Sequence, residues 1–136
     1  HGYAIVRPEG VVLVDPMPMS DHDLAHLDAL GQVVAVVVTN SDHTRAVQEL
    51  AARSGAAVLG PHAEASAFPI PCTRFLGEGD QVLPGIVAVE LHGSKTPGEL
   101  ALFLIAHNTV NPKQPNSTQQ KRDHCCLKFA PANETN

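Results

Sequence analysis

The chain of 136 residues contains no tryptophan, one tyrosine and four phenylalanines. With so few aromatic side chains, the core has to be built from valine, leucine, alanine and isoleucine. Such a core favours an α/β domain, in which buried strands are runs of aliphatic residues. Hydrophobic residues make up 43% of the chain and charged residues 17%, which is typical of a soluble globular domain.

The sequence also lacks a basic surface and a membrane-spanning run. Its net charge is −5, and no group of lysines and arginines could neutralise a row of phosphates, so we expect no nucleic-acid partner. No apolar run approaches the roughly 20 residues of a membrane helix, so we expect no membrane partner. The chain opens without a signal-peptide pattern, in what reads as a strand, and we expect that the first residues of this element are missing.

The chain has three cysteines, Cys72, Cys125 and Cys126, and their spacing does not indicate a disulfide. Adjacent cysteines do not readily bond to each other, and an odd count leaves one over. Reduced thiols in a cytoplasmic protein are therefore expected. Cys72 has no neighbouring histidine to act as a base. Cys125 and Cys126, with Asp123 and His124, could bind a soft metal, although structural zinc sites usually show two spaced pairs.

Turn residues and apolar periodicity predict an α/β layered domain with a mixed β-sheet and flanking helices. Strands are predicted over 3–7, 11–14, 33–38, 57–59, 74–76, 86–91 and 100–105, and helices over 20–30, 43–54 and 63–68. The uninterrupted valine and alanine run 33–38 is typical of a central strand covered on both faces. We assign residues 1–106 to this domain and 107–136 to a divergent polar tail with one short element near 125–129.

Helix starts carry recognisable signals. Ser20 with Asp23 three residues later has the spacing of a capping box, and Gly31 is a plausible stop. Ser41 or Asp42 is placed to cap the helix predicted from His43. The sequons at Asn116 and Asn133 are interpreted as chance matches in a polar tail.

Three segments resemble motifs of the metallo-β-lactamase-fold superfamily in their order and spacing. They are the glycine, aliphatic strand and aspartate at 10–16, the strand and Thr-Asn-Ser-Asp-His loop at 36–43, and the Gly-Ser-Lys-Thr-Pro-Gly turn with its strand at 93–102. The resemblance covers about residues 3–105. It implies part of the αββα sandwich of that family.

The resemblance also implies where metal ligands would lie. The family motif H-x-H-x-D-H holds one or two metal ions, usually zinc. Asp42 and His43 keep its last pair, whereas Asn40 or Val38 stands where the first histidines belong, and Lys95 replaces the histidine of G-H-[ST]-P-G. A lysine ammonium has no lone pair for zinc. The eroded ligand positions are thus Asn40 and Lys95, and the tail does not resemble the region of the later ligands.

A catalytic zinc needs about three protein ligands and an open position for water, and the motif supplies at most Asp42 and His43. Recruitment of His92, His107 or His124 is possible, but their spacing does not indicate it. Two helix histidines four residues apart, His22 and His26 beside Asp21, are interpreted as a solvated face without a third ligand.

We therefore expect no metal cofactor and a non-catalytic binding or assembly module with a metallo-β-lactamase-like fold. The alternative is a metal-dependent hydrolase of an ester, amide or thioester with a reduced or rearranged site, using zinc or another divalent metal. In the non-catalytic case, a salt bridge between Asp42 and Lys95 is expected to replace the metal. A sheet face left uncovered would expose an apolar patch, so a homodimer through that face is also expected.

Overall fold

A computed structural model describes residues 1–105 of the chain and the backbone of residues 126–129. The strands are β1 (Gly2–Arg7), β2 (Gly10–Val14), β3 (Val33–Val37), β4 (Ala57–Pro61), β5 (Arg74–Leu76), β6 (Gln81–Leu83), β7 (Ile86–Leu91), β8 (Glu99–Leu104) and β9 (Cys126–Phe129). The helices are α1 (Asp21–Leu30), α2 (Val47–Ser54) and a 3-10 helix (His62–Ala67). Predictions on Asn116, Asn133, His107, His124, Asp123 and Cys125 lie outside the described residues.

Two sheets form the framework. The larger has the strand order β5-β4-β3-β2-β1-β9, with β2 to β5 parallel and β1 antiparallel to both of its neighbours. The smaller is antiparallel, in the order β6-β7-β8. The expected mixed α/β fold is confirmed, and β3 lies in the interior of the larger sheet, as its aliphatic run predicts.

The larger sheet is covered on both faces. On one side, Leu27 of α1 and Leu50 of α2 pack in a core with Val36 of β3. On the other, Ile86 of β7 and Leu100 of β8 pack in a second core with strand residues of the larger sheet. Helices, six-stranded sheet and three-stranded sheet thus form three layers, and the alternating side chains of the strands divide between the two cores.

Helix α1 forms as its sequence predicts. The amide of Asp23 donates to Ser20 Oγ at 3.2 Å, and the amide of Ser20 donates to the Asp23 carboxylate at 3.4 Å, which completes the capping box. Gly31 follows as the C-cap.

No helix in the described part of the chain is long and apolar enough to cross a membrane.

Helix α2 starts later than predicted. It begins at Val47 rather than His43, and its N-cap, Ala46, makes no side-chain capping bond. The prediction that Ser41 or Asp42 caps this helix was wrong, because the helix begins only at Val47 with Ala46 as its N-cap, and the Ser41 hydroxyl instead donates to the Glu64 carboxylate. The segment 63–68, predicted as an α-helix, forms the 3-10 helix over His62–Ala67.

The short element predicted near 125–129 is present as β9, whose backbone pairs antiparallel with β1. It therefore extends the edge of the larger sheet. The division of the chain at residue 106 stays a prediction.

Candidate functional site

Polar side chains gather where three neighbouring parallel strands end. Asp15 directly follows β2, the loop Thr39–His43 follows β3, and Glu64 lies in the 3-10 helix that follows β4. Because parallel strands present their carboxyl ends at the same edge, residues far apart in sequence meet here. In open α/β sheets this edge is the usual place for a ligand site.

Asp15 is the centre of this cluster. Its Oδ1 accepts a hydrogen bond from the Thr39 amide at 2.7 Å, and its Oδ2 accepts one from Thr39 Oγ1 at 2.5 Å. Asp15 Oδ2 also lies 3.0 Å from His43 Nδ1. The backbone φ of Asp15 is +46°, a left-handed conformation that aspartate tolerates better than most residues. The turn thus aims the carboxylate at the loop after β3.

The ring of His43 is held at one nitrogen. Nδ1 lies near both Asp15 Oδ2, at 3.0 Å, and Thr39 Oγ1, at 3.4 Å, while the His43 side chain is 47% exposed. A carboxylate at Nδ1 favours the tautomer that keeps the proton there, which leaves the Nε2 lone pair available. The sequence motif drew attention to Asp42 and His43, yet the partner that orients His43 is Asp15.

Glu64 holds the same loop from the other side. Its side chain is only 6% exposed, and its carboxylate accepts hydrogen bonds from the Ser41 amide at 2.9 Å and from Ser41 Oγ at 3.3 Å. Within the loop, Asn40 Oδ1 accepts from the Asp42 amide at 2.9 Å. Sequence reasoning missed Glu64, since no local pattern relates it to a loop 23 residues earlier.

The turn that carries Lys95 packs close to this loop. The Leu100 amide donates to the Thr39 carbonyl at 2.9 Å, and Gly98 lies so close to the 3-10 helix that a Cβ there would be 2.7 Å from Ala63 Cβ. The loops meet, as the Asp42–Lys95 hypothesis required. However, the ion pairs within 4.0 Å in the described residues are His43–Asp15 and Arg53–Asp28.

The expected salt bridge between Asp42 and Lys95 was therefore wrong. Both side chains are exposed. An exposed pair gains little Coulomb energy in water and loses side-chain entropy, so solvation competes well with pairing.

A cleft of about 240 Å³ opens beside the cluster. It is lined by His1, Asp15, Pro16, Met17, Asp42, His43 and Arg45. Two positions where the family motif has histidines, Val38 and Asn40, are buried instead of lining this cleft. In residues 1–105, no group of three or more His, Cys, Asp or Glu side chains is placed to hold a metal ion. The donor set of this part of the chain does not fit a catalytic metal, which requires about three ligands.

The remaining sequence candidates lie elsewhere. His22 and His26 are exposed on α1, and His92 is exposed after β7. Cys72 is partly buried, and burial raises the pKa of its thiol, which disfavours the nucleophilic thiolate. The structure therefore gathers Asp15, His43 and Asp42 at one cleft and leaves these others apart from it.

Comparison with known proteins agrees with the resemblance of the sequence motifs to the metallo-β-lactamase superfamily. The family model described as "Metallo-beta-lactamase superfamily" matches residues 1–114. Among solved structures, the chain is similar to TTHA1623 in a di-iron-bound form, with 25% identity and a TM-score of 0.60 over 75% of this chain and 60% of that one. No curated protein matches the chain.

Two metallo-β-lactamases are also similar. GOB-18 from Elizabethkingia meningoseptica has 18% identity and a TM-score of 0.56, over 74% of this chain and 48% of that one. The B3 metallo-β-lactamase BLEG-1 has 16% identity and a TM-score of 0.60, over 76% and 61%. At these identities the likeness shows the fold alone. The chain spans about half to three fifths of the length of these proteins.

Proposed function

This chain belongs to the metallo-β-lactamase superfamily, and from that membership we propose that it is a non-catalytic member that serves as a binding or assembly module. In this proposal, protein groups hold the loop after β3 in place of a metal ion. The inherited fold is kept, and the hydrolytic site is not.

The main support for this proposal comes from the hydrogen bonds that the Asp15 carboxylate accepts. Both of its carboxylate oxygens accept hydrogen bonds from Thr39, and Oδ2 lies 3.0 Å from His43 Nδ1. Hydrogen bonds to a charged group contribute about 1.5–3 kcal/mol each. Such a cluster fixes the loop without further ligands. The Glu64 carboxylate, bonded to Ser41, adds a second anchor.

The chemistry of the ligand positions supports the same conclusion. Val38 and Asn40 are buried, and Lys95 carries an ammonium group without a lone pair. Of the motif positions, Asp42 and His43 keep side chains that bind metals, and two ligands are fewer than the three that a catalytic zinc requires.

A second candidate function is a metal-dependent hydrolase with a mononuclear or rearranged site. One observation favours it: Asp15, Asp42 and His43 line the same cleft, together with His1. A metal bound there would activate a water for attack on an ester, amide or thioester carbonyl. TTHA1623, whose structure is similar to that of this chain, was crystallised in a di-iron-bound form.

Metal analysis of protein purified without chelators separates the two functions. We expect zinc, iron and manganese far below one ion per chain, with no difference between the wild-type protein and the Asp42→Ala/His43→Ala variant. Asp21→Ala/His22→Ala on α1 is the matched control for loss of an exposed Asp-His pair. A stoichiometric metal that is lost in Asp42→Ala/His43→Ala and retained in the control would overturn the proposal.

A further inference from the structure

The cleft beside the loop after β3 carries two opposite charges that do not pair with each other. Asp42 and Arg45 both line this cleft, and both side chains are exposed. The ion pairs within 4.0 Å in residues 1–105 join other side chains, so the charges of Asp42 and Arg45 are unpaired in this part of the chain. A ligand that carries both signs of charge can therefore bind to the two of them.

His43 adds a hydrogen-bond acceptor to the same cleft. Its Nδ1 lies 3.0 Å from Asp15 Oδ2, which favours the ring proton at Nδ1 and leaves the Nε2 lone pair available. The His43 side chain lines the cleft and is 47% exposed. Asp42 and His43 can thus both accept hydrogen bonds from one ligand, whereas the Arg45 guanidinium only donates them.

Apolar groups complete the lining. Pro16 is buried and Met17 is half-buried, and both border the cleft. They offer a surface on which an aliphatic group loses contact with water. The volume of about 240 Å³ equals that of about eight water molecules, which is roughly the number of non-hydrogen atoms in leucine.

The backbone that carries the two charges is held by hydrogen bonds. Asn40 Oδ1 accepts from the Asp42 amide at 2.9 Å. The Thr44 carbonyl accepts from the Val47 amide at 3.3 Å, which closes a turn around Arg45. A backbone that is ordered before the ligand arrives lowers the entropy cost of binding.

We propose that this cleft binds a free α-amino acid with an aliphatic side chain. The ammonium group of such a ligand donates to the Asp42 carboxylate and to His43 Nε2, and its carboxylate accepts from the Arg45 guanidinium. The aliphatic side chain packs against Pro16 and Met17.

The two charges of the cleft select a zwitterion over a simple ion. A ligand with a carboxylate alone is repelled by Asp42, and a ligand with an ammonium alone is repelled by Arg45. The inference rests on the proposed function, because a metal ion at Asp42 and His43 would occupy the acceptors that the ammonium needs. Ion pairs that are exposed to water gain little, so we expect a dissociation constant of about 0.1–1 mM for leucine.

Titration of the isotope-labelled chain with L-leucine in EDTA, followed by the NMR shifts of the backbone amides, tests the site. We expect saturable shifts at the amides of residues 39–45. Isocaproate is leucine without its ammonium, and isoamylamine is leucine without its carboxylate. Each should bind at least about threefold more weakly than leucine, and so should glycine, which lacks the aliphatic side chain.

Two variants assign the charges of the ligand to their partners. Arg45→Ala should weaken leucine binding about three- to tenfold and should not weaken isoamylamine binding, because this amine has no carboxylate to lose a partner. Asp42→Asn should weaken leucine binding to a similar extent and should not weaken isocaproate binding. Arg74→Ala removes an exposed arginine of β5, is the control and should leave the leucine affinity unchanged. The amide spectrum of each variant shows whether it is folded.

The outcomes separate this inference from the proposed function. Leucine that binds no better than isocaproate and isoamylamine, or a loss in Arg45→Ala that is equal for leucine and isoamylamine, overturns the inference. No binding of leucine in EDTA, by protein that contains far less than one metal ion per chain, overturns it too and leaves the proposed function standing. Leucine binding that appears only after zinc is added overturns both.

Discussion

Oδ2 of Asp15 lies 3.0 Å from Nδ1 of His43, although the two residues follow different strands and are 28 positions apart. The same oxygen accepts a hydrogen bond from Thr39 Oγ1. A histidine at the position of a metal-ligand motif is thus anchored at one nitrogen by a carboxylate that the motif does not include. The loop after β3 gains a fixed conformation from side chains of the chain itself.

Replacement of Asp15 tests the strength of this anchor. Asp15→Asn keeps the volume but replaces one acceptor oxygen with an amide nitrogen and removes the charge beside His43. We expect the free energy of unfolding to fall by about 1–3 kcal/mol in urea titrations. Asp42→Asn is the matched control, because Asp42 is exposed in the same loop, and should change stability by no more than about 0.5 kcal/mol. Equal stability of the two variants would contradict the role given to Asp15.

Glu64 provides the second anchor, and its removal should loosen the loop locally. In Glu64→Ala the Ser41 amide loses its acceptor, so hydrogen exchange at this amide should accelerate and stability should fall by about 1–3 kcal/mol. Glu64→Gln retains one acceptor oxygen and should lose less. Unchanged exchange at Ser41 in Glu64→Ala would show that the carboxylate does not hold the loop.

Lys95 should matter little for stability. Its side chain is exposed, and the ion pairs of the described residues do not include it. We expect Lys95→Ala to shift the free energy of unfolding by less than about 0.5 kcal/mol. A loss of 1 kcal/mol or more, roughly the upper limit for an exposed ion pair, would indicate that the Lys95 ammonium has an ion-pair partner.

The Asp28–Arg53 pair, which joins α1 to α2, should give stability a dependence on acid pH. Both Asp28 oxygens accept hydrogen bonds from the guanidinium at 2.7 Å, and these bonds lower the pKa of Asp28 below its usual value. The unfolded state therefore binds a proton more readily, and the contribution is present above the unfolded pKa of about 4 and lost as pH falls through the folded value. The melting temperature of Asp28→Asn should lie slightly below that of the wild type at neutral pH.

This difference should vanish in acid. It should also shrink in high salt, because both side chains of the pair are exposed to solvent. A difference that persists at the same size below the folded pKa of Asp28 would show that the ion pair is not its source.

Local signals in the sequence were enough for much of the fold. The capping box of Ser20 and Asp23 depends on a spacing of three residues, and the aliphatic run of β3 is readable in isolation. The start of α2 was misplaced because Ser41 also has the local features of a cap. Its bonds to Glu64 arise only after β3 and β4 pair, so no local pattern could reveal them.

The candidate site, like the fold, was only partly predictable from the sequence. The motif at Asp42 and His43 located the loop, and its missing histidines were readable one by one. The partnership of Asp15 with His43 depends on the parallel pairing of β2 with β3, which brings the ends of the two strands together. Contacts of this kind follow from topology rather than from spacing along the chain.

In the proposed function, protein groups and not a metal ion hold the loop after β3. The most direct test is the melting temperature of the wild-type protein in excess EDTA and in excess zinc, because any ligand that binds only the folded state stabilises it. We expect the two melting temperatures to agree within experimental error. A clear rise of the melting temperature in zinc that is lost in His43→Ala and kept in His22→Ala would contradict the proposal.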